Sequence, residues 1–178
     1  MYGLATTALH AEPVLTLYRL KRRPVTEPIA LLAPNVEMLF ELVPELRGRA
    51  GVIARALLPG PYTLVLPNPA RRFSWLAGAN YDTIGVRVPE LPQPTAELLQ
   101  RVSALAATSA NIRGGPDPAR LEDVPEALRG AVPVAIDAGE LPGTPSTVID
   151  FTRLEPRVIR EGIASSAGAI ARAREAAG

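Results

Sequence analysis

Proline and glycine interrupt this chain at 19 and 14 of its 178 positions, so it must be assembled from many short elements joined by turns. The two types together stay below the roughly 25–30% that marks low-complexity sequence. A chain of this length fits a single domain over residues 1–178 and can bury roughly 70% of its unfolded surface. A core is therefore available without a disulfide or metal staple.

Between the turn signals the apolar pattern changes period. Val14, Leu17, Tyr18 and Leu20 recur at helical spacing after Pro13, which is tolerated in a first turn. Ile29–Leu32 reads as a short buried strand, and Asn35 as the cap of a helix over Val36–Leu42. A helix over Gly48–Leu58 stops at Pro59-Gly60-Pro61, and Thr63–Leu66 follows as a strand. In Thr83–Val88, Ile84, Val86 and Val88 alternate with Thr83, Gly85 and Arg87, which places Thr83 and Arg87 on one face.

A helix from Thr95 to Leu105 leads into a brief strand over Ala106–Thr108 and a long polar loop over Ser109–Pro118. A short helix at Val124–Leu128, strands at Val134–Ile136, Ser146–Asp150 and Arg157–Ile159, and an Ala/Arg-rich terminal helix complete the expected order. Helices and strands intermix without a regular βαβ beat, so a twisted mixed sheet flanked by helices is expected rather than a purely parallel one. Neither a Gly-x-Gly-x-x-Gly fingerprint nor a P-loop is present.

Composition excludes several chemistries. The chain has no cysteine, which removes disulfides, thiolate nucleophiles and Cys-type zinc sites. His10 is the single histidine, so a Ser/His/Asp triad elsewhere and a two-histidine metal site are also excluded. With 19 basic and 18 acidic side chains, any cationic site must be local. No run approaches the roughly 20 apolar residues of a membrane span, and no signal peptide is recognisable; a cytoplasmic protein is expected.

Local polar blocks are the remaining candidates. Lys21-Arg22-Arg23 closes the first helix, where cations also simply suit the dipole. Arg87 sits at the end of an apolar strand, where a guanidinium fork suits a carboxylate or phosphate, or a structural ion pair. Ser109-Ala110-Asn111 precedes Gly114-Gly115, offering a hydroxyl and an amide where backbone can approach a ligand; Ser and Asn are equally ordinary turn formers. Ser146-Thr147 and Arg160-Glu161-Gly162 fit either ligand binding or plain strand ends.

Seven segments in order resemble the YrdC-type, threonylcarbamoyl-AMP synthase family. They are Tyr2-Gly3-Leu4, Lys21-Arg22-Arg23-Pro24, Pro59-Gly60-Pro61-Tyr62-Thr63, Thr83–Pro89, Ser109-Ala110-Asn111, Ser146–Asp150 and Ile159-Arg160-Glu161-Gly162. The resemblance implies an α/β fold with a concave basic groove, and a nucleotidyltransferase that makes threonylcarbamoyl-AMP and pyrophosphate from ATP, bicarbonate and L-threonine. A tRNA-modifying transferase complex would use the product. It further implies that Lys21 and Arg23 act on the ATP phosphates and an associated Mg2+. Thr83, Ser109, Asn111 and Arg160 would complete the nucleotide site, joined by Asp117 where the family commonly has Ser or Thr, and Arg87 and Ser146 would form the threonine site.

Family members usually carry a Pro-Thr-[Asp/Glu]-Thr segment before Tyr-Gly-Leu, whereas here only Met1 precedes Tyr2. Two expectations follow, a start placed too late or a shortened relative with impaired activity. Two other functions stay open: a nucleotide- or RNA-binding module with direct RNA contact, and carbamoyl transfer from carbamoyl phosphate. The few, scattered aromatics (one Trp, four Tyr and three Phe) and near-neutral charge weigh against an RNA module.

Overall fold

The computed structural model describes residues 1–178. Seven strands form one mixed sheet in the order β1-β5-β2-β4-β3-β6-β7. The strands are β1 (Gly3–Thr7), β2 (Ala30–Leu32), β3 (Tyr62–Pro67), β4 (Thr83–Arg87), β5 (Leu105–Ser109), β6 (Thr147–Asp150) and β7 (Arg157–Arg160). β2 runs parallel to β4 and β3 parallel to β6, while the other neighbours are antiparallel. Six helices accompany them: α1 (Ala11–Leu20), α2 (Val36–Leu42), α3 (Gly48–Leu57), α4 (Thr95–Val102), α5 (Glu126–Arg129) and α6 (Ser166–Ala177).

Side-chain alternation divides the sheet into two unlike faces. Leu31, Leu64, Leu66, Ile84, Val86, Ala106 and Ile149 point to one face and are almost fully buried. They pack with Val14, Leu17 and Tyr18 of α1, Leu39 of α2, Ile53 and Leu57 of α3, and Ala169 and Ala173 of α6 in a single large core. Full burial of each such leucine or isoleucine removes enough apolar surface from water to contribute about 1.5–3 kcal/mol. On the opposite face only α4 contributes a second, small cluster, in which its Leu99 covers Leu32 and Leu105.

Most expected elements are present within one or two residues. Asn35 caps α2 as its position predicts, accepting from the Met38 amide at 2.7 Å. The helix expected to reach Leu105 stops at Val102, where Ser103 turns to positive φ (64°), and Leu105 opens β5. Elsewhere one strand appears beyond those expected, and one expected strand is absent. Gly3–Thr7 forms edge strand β1, which pairs with β5 from Gly3↔Ser109 to Thr7↔Leu105 although its residues carry no strong strand signal alone. Conversely, Val134–Ile136 is not a strand: Val134 is exposed, and Pro133 offers no amide to a neighbouring ladder. That segment is held instead by Tyr2, whose hydroxyl oxygen accepts from the Ala138 amide at 2.9 Å and lies 2.8 Å from both Asp137 Oδ1 and the Gly139 carbonyl. No helix is long and apolar enough to cross a membrane.

Candidate functional site

Beyond α4, the second sheet face is uncovered. Register places Ser109 and Ala107 of β5 beside Gly3 and Ala5 of β1, and Ala30 of β2 beside Ala107. Thr83, Gly85 and Arg87 continue this face on β4, with Val65 of β3 opposite Gly85. All of these residues are half-buried or exposed, in contrast to the apolar residues between them.

The end of α1 delivers the first cation. Arg22 adopts a left-handed conformation (φ 49°), the Arg23 amide bonds back to the Tyr18 carbonyl at 2.9 Å, and the Arg22 amide bonds to the Arg19 carbonyl at 3.0 Å. This is the paired bonding of a Schellman stop. It reverses the chain across one residue, so that Lys21 turns inward, Arg22 outward to solvent, and Arg23 to an intermediate position.

Lys21 is only 3% exposed. Its ammonium group donates to the Ser109 carbonyl at 2.5 Å, the Asn111 carbonyl at 2.5 Å and Asn111 Oδ1 at 2.7 Å. Those three bonds use all three ammonium protons on one loop. Ser109 Oγ also donates to Asn111 Oδ1 at 2.8 Å, and Asn111 Nδ2 donates to the Gly115 carbonyl at 2.7 Å and Asp117 Oδ1 at 3.2 Å. Burial, and secondarily the Arg23 charge, lower the Lys21 pKa below the ordinary lysine value, while Asp117 opposes the shift. Lys21, Ser109, Asn111 and Asp117 therefore form one connected cluster.

A second cluster lies toward the other edge. Thr63 of β3 and Ser146, at the entry to β6, bring their hydroxyls within 2.8 Å, and both side chains are buried. Although β7 is exposed along its length, the Arg160 guanidinium folds back to donate to the Ser146 carbonyl at 2.8 and 3.2 Å and reaches Ser146 Oγ at 3.3 Å. Gly162 makes this closeness sterically feasible: a Cβ there would lie 2.4 Å from the Pro145 oxygen and from the Ser146 carbonyl carbon. Arg87 faces the cluster with Nε buried and unpaired. Desolvation, and then neighbouring Arg160, lower its pKa from the usual arginine value; desolvation does the same to Arg160, opposed by Asp117. Asp117 is thus the carboxylate shared electrostatically by both clusters.

Two expected site residues stand apart. Arg23 donates to the Pro28 carbonyl at 2.8 Å and approaches Glu27 at 3.5 Å, while Glu27 also pairs with Arg113 from the Ser109–Pro118 loop. Thr83 donates its hydroxyl to the Asn80 carbonyl at 3.1 Å and bonds to none of the other site side chains. Glu27, Arg113 and Thr63 are additions to the sequence reading. Thr63 closes the Pro59–Thr63 segment, and its partner is 83 positions away across a parallel pairing that sequence periodicity does not encode.

Fold and site together define an α/β protein that presents desolvated cations, hydroxyls and one carboxylate from an uncovered sheet face. The chain belongs to the Sua5/YciO/YrdC family, whose family model, described as telomere recombination, matches residues 1–162. It is 36% identical to the threonylcarbamoyl-AMP synthase of Pyrococcus abyssi over 165 residues, covering 91% of this chain and 48% of that protein. It is 33% identical to the threonylcarbamoyl-AMP synthase of Escherichia coli O6:H1 over 167 residues, covering 92% of this chain and 80% of that one. The crystal structure of P. abyssi Sua5 complexed with L-threonine superposes with a TM-score of 0.76 at 36% identity, over 90% of this chain and 47% of the other. The chain therefore spans about half the length of the Pyrococcus protein.

Proposed function

We propose that this protein is an L-threonylcarbamoyladenylate synthase, joining ATP, bicarbonate and L-threonine into threonylcarbamoyl-AMP with release of pyrophosphate. The observation that carries the proposal is Arg87, a desolvated guanidinium with an unpaired Nε beside a second guanidinium, Arg160. Two such cations side by side are stabilised by an anion between them. The threonine carboxylate meets that need, and the neighbouring Ser146 hydroxyl, supported by Thr63, offers a hydrogen bond to the amino acid.

The nucleotide belongs over the other cluster. Lys21 lends its charge while its protons hold the Ser109–Asn111 backbone, so the loop is a rigid wall for the phosphates. Arg23, once free of Glu27, is the mobile cation of the pair, and Arg160 bridges the two halves. Thr83 and Asp117 complete the nucleotide contacts in this reading. No cluster of three His, Cys, Asp or Glu side chains could hold a metal alone. The Asp117 carboxylate and the Ser109 hydroxyl, the loop oxygens that Lys21 does not occupy, suit magnesium that arrives with the phosphates, which is the usual habit of that ion. When bound, it would supply positive charge against the leaving pyrophosphate.

The chemistry needs alignment more than a side-chain nucleophile. The threonine amine and bicarbonate give a carbamate and water; the carbamate oxygen forms the new bond to the α-phosphorus as the bond to pyrophosphate breaks. Holding carbamate and α-phosphate in line can lower the barrier by about 7–11 kcal/mol, and fixed cations stabilise charge gathering on phosphate oxygens. Transfer to tRNA by a separate complex, in the cytoplasm, is part of the same proposal, as is any direct RNA contact.

The test is incorporation of labelled bicarbonate into an adenylate, with pyrophosphate release that requires both ATP and threonine. Arg87→Ala should raise the threonine requirement and Lys21→Ala should abolish adenylate formation. Normal pyrophosphate release in both variants would remove the assignment.

A further inference from the structure

We infer that Gly85 is a specificity-determining position, kept free of a side chain so that the amino-acid substrate lies directly against the β4 backbone next to Arg87. The inference rests on the threonine reading above and adds a residue to it.

Three observations carry it. Gly85 sits mid-strand opposite Val65, and it is not among the residues with positive φ, so its backbone conformation is open to any L-residue. Its surroundings do not require glycine either. A Cβ built there would find Ala30 Cα at 3.7 Å, with Ala30 Cβ and Thr63 Cγ2 at 3.9 Å, all ordinary van der Waals contacts. Glycine inside a strand loses more conformational entropy on folding than alanine and packs nothing, so the choice weakens the sheet.

What glycine preserves is space outside the protein. Gly85 shares a half-exposed face with Thr83 and Arg87, and the adjacent positions on that face, Ala30 and Ala107, are also small. A carboxylate gripped by Arg87 brings the rest of its molecule over this floor. Gly162 is the instructive contrast. There a Cβ would strike backbone atoms at 2.4–2.5 Å, so glycine is demanded by internal packing. At Gly85 an added methyl meets no protein atom closely and enters only the volume above the sheet.

The experiment measures thermal stability of the full chain, and L-threonine and ATP binding by calorimetry, for the parent protein, Gly85→Ala and Gly85→Val. Gly85→Ala is expected to melt at the same temperature or about 1–3 °C higher, since alanine restricts the unfolded chain. It should bind threonine at least tenfold more weakly and ATP within threefold of the parent, and Gly85→Val should abolish threonine binding. Unchanged threonine affinity in Gly85→Ala, or a lowered melting temperature, overturns the role of Gly85 while leaving the proposed function standing. A parent protein that binds ATP but no threonine overturns both.

Discussion

Thr63 and Ser146, 83 residues apart in sequence, share a buried hydroxyl–hydroxyl hydrogen bond of 2.8 Å beneath the Arg160 guanidinium. The bond joins two parallel strands at the point where the candidate amino-acid pocket begins. Thr63→Val keeps the shape and removes the partner. We expect a stability loss of about 1 kcal/mol, the net value of one such bond. Threonine-dependent pyrophosphate release should show a raised KM for threonine with an unchanged KM for ATP. Urea denaturation and two-substrate kinetics check the two halves separately.

Lys21→Ala removes three donors from the Ser109–Asn111 loop and leaves the freed carbonyls in a buried setting. Loss of adenylate formation should be accompanied by faster amide hydrogen exchange between Asn111 and Gly115. Arginine should not restore function, because a residue only 3% exposed has no room for a planar fork. Slow exchange persisting in Lys21→Ala would show that the loop is held by other means.

The pH response of Lys21 has a defined sign. Its folded pKa is depressed, so between that value and the ordinary lysine value the unfolded chain binds more protons, and this group's contribution to stability rises with pH. Activity should move the other way. As the ammonium charge is lost, ATP use falls at a pH below that expected for a free lysine. Chemical denaturation and initial rates across the alkaline range should therefore diverge.

Glu27 occupies two arginines at once, Arg23 and Arg113. Glu27→Gln removes ion pairs that are partly exposed and contribute at most about 1 kcal/mol together. ATP affinity should increase, because Arg23 no longer has to leave a carboxylate before meeting phosphate, and the salt dependence of binding should steepen. Isothermal titration at two ionic strengths tests this.

Gly162→Ala should cost about 1–3 kcal/mol or more, since its methyl would meet backbone on three consecutive residues, Pro145 to Thr147. The displaced backbone carries the Ser146 carbonyl that accepts from Arg160. Threonine use should therefore fall by more than the stability loss alone explains, measurable well below the melting transition.

What the sequence discloses follows the range of the forces involved. Asn35 announces its helix because a cap is a local bond, and Thr83 and Arg87 share a face because alternation is local too. The strand β1 escapes notice since Gly3–Thr7 gains its structure from β5, a hundred residues on. Val134–Ile136 misleads for the opposite reason, an apolar run with no ladder to join. The motif order indicates most of the candidate site residues, but it does not disclose that Lys21 spends its protons on the loop or that Glu27 restrains Arg23.

The interleaved strand order has a consequence for how the molecule is made. β1 pairs with β5 and β3 with β6, and the candidate site draws on residues from Lys21 to Arg160. A nascent chain emerging from the ribosome can therefore form the α1 turn early, but it cannot close either cluster until late strands arrive to pair with early ones. Such long-range pairing slows folding. Ligand binding becomes an all-or-none report on a finished sheet, and a chain cut before β7 would lack both α6, whose Ala169 and Ala173 belong to the core, and the Arg160 guanidinium that bonds to Ser146.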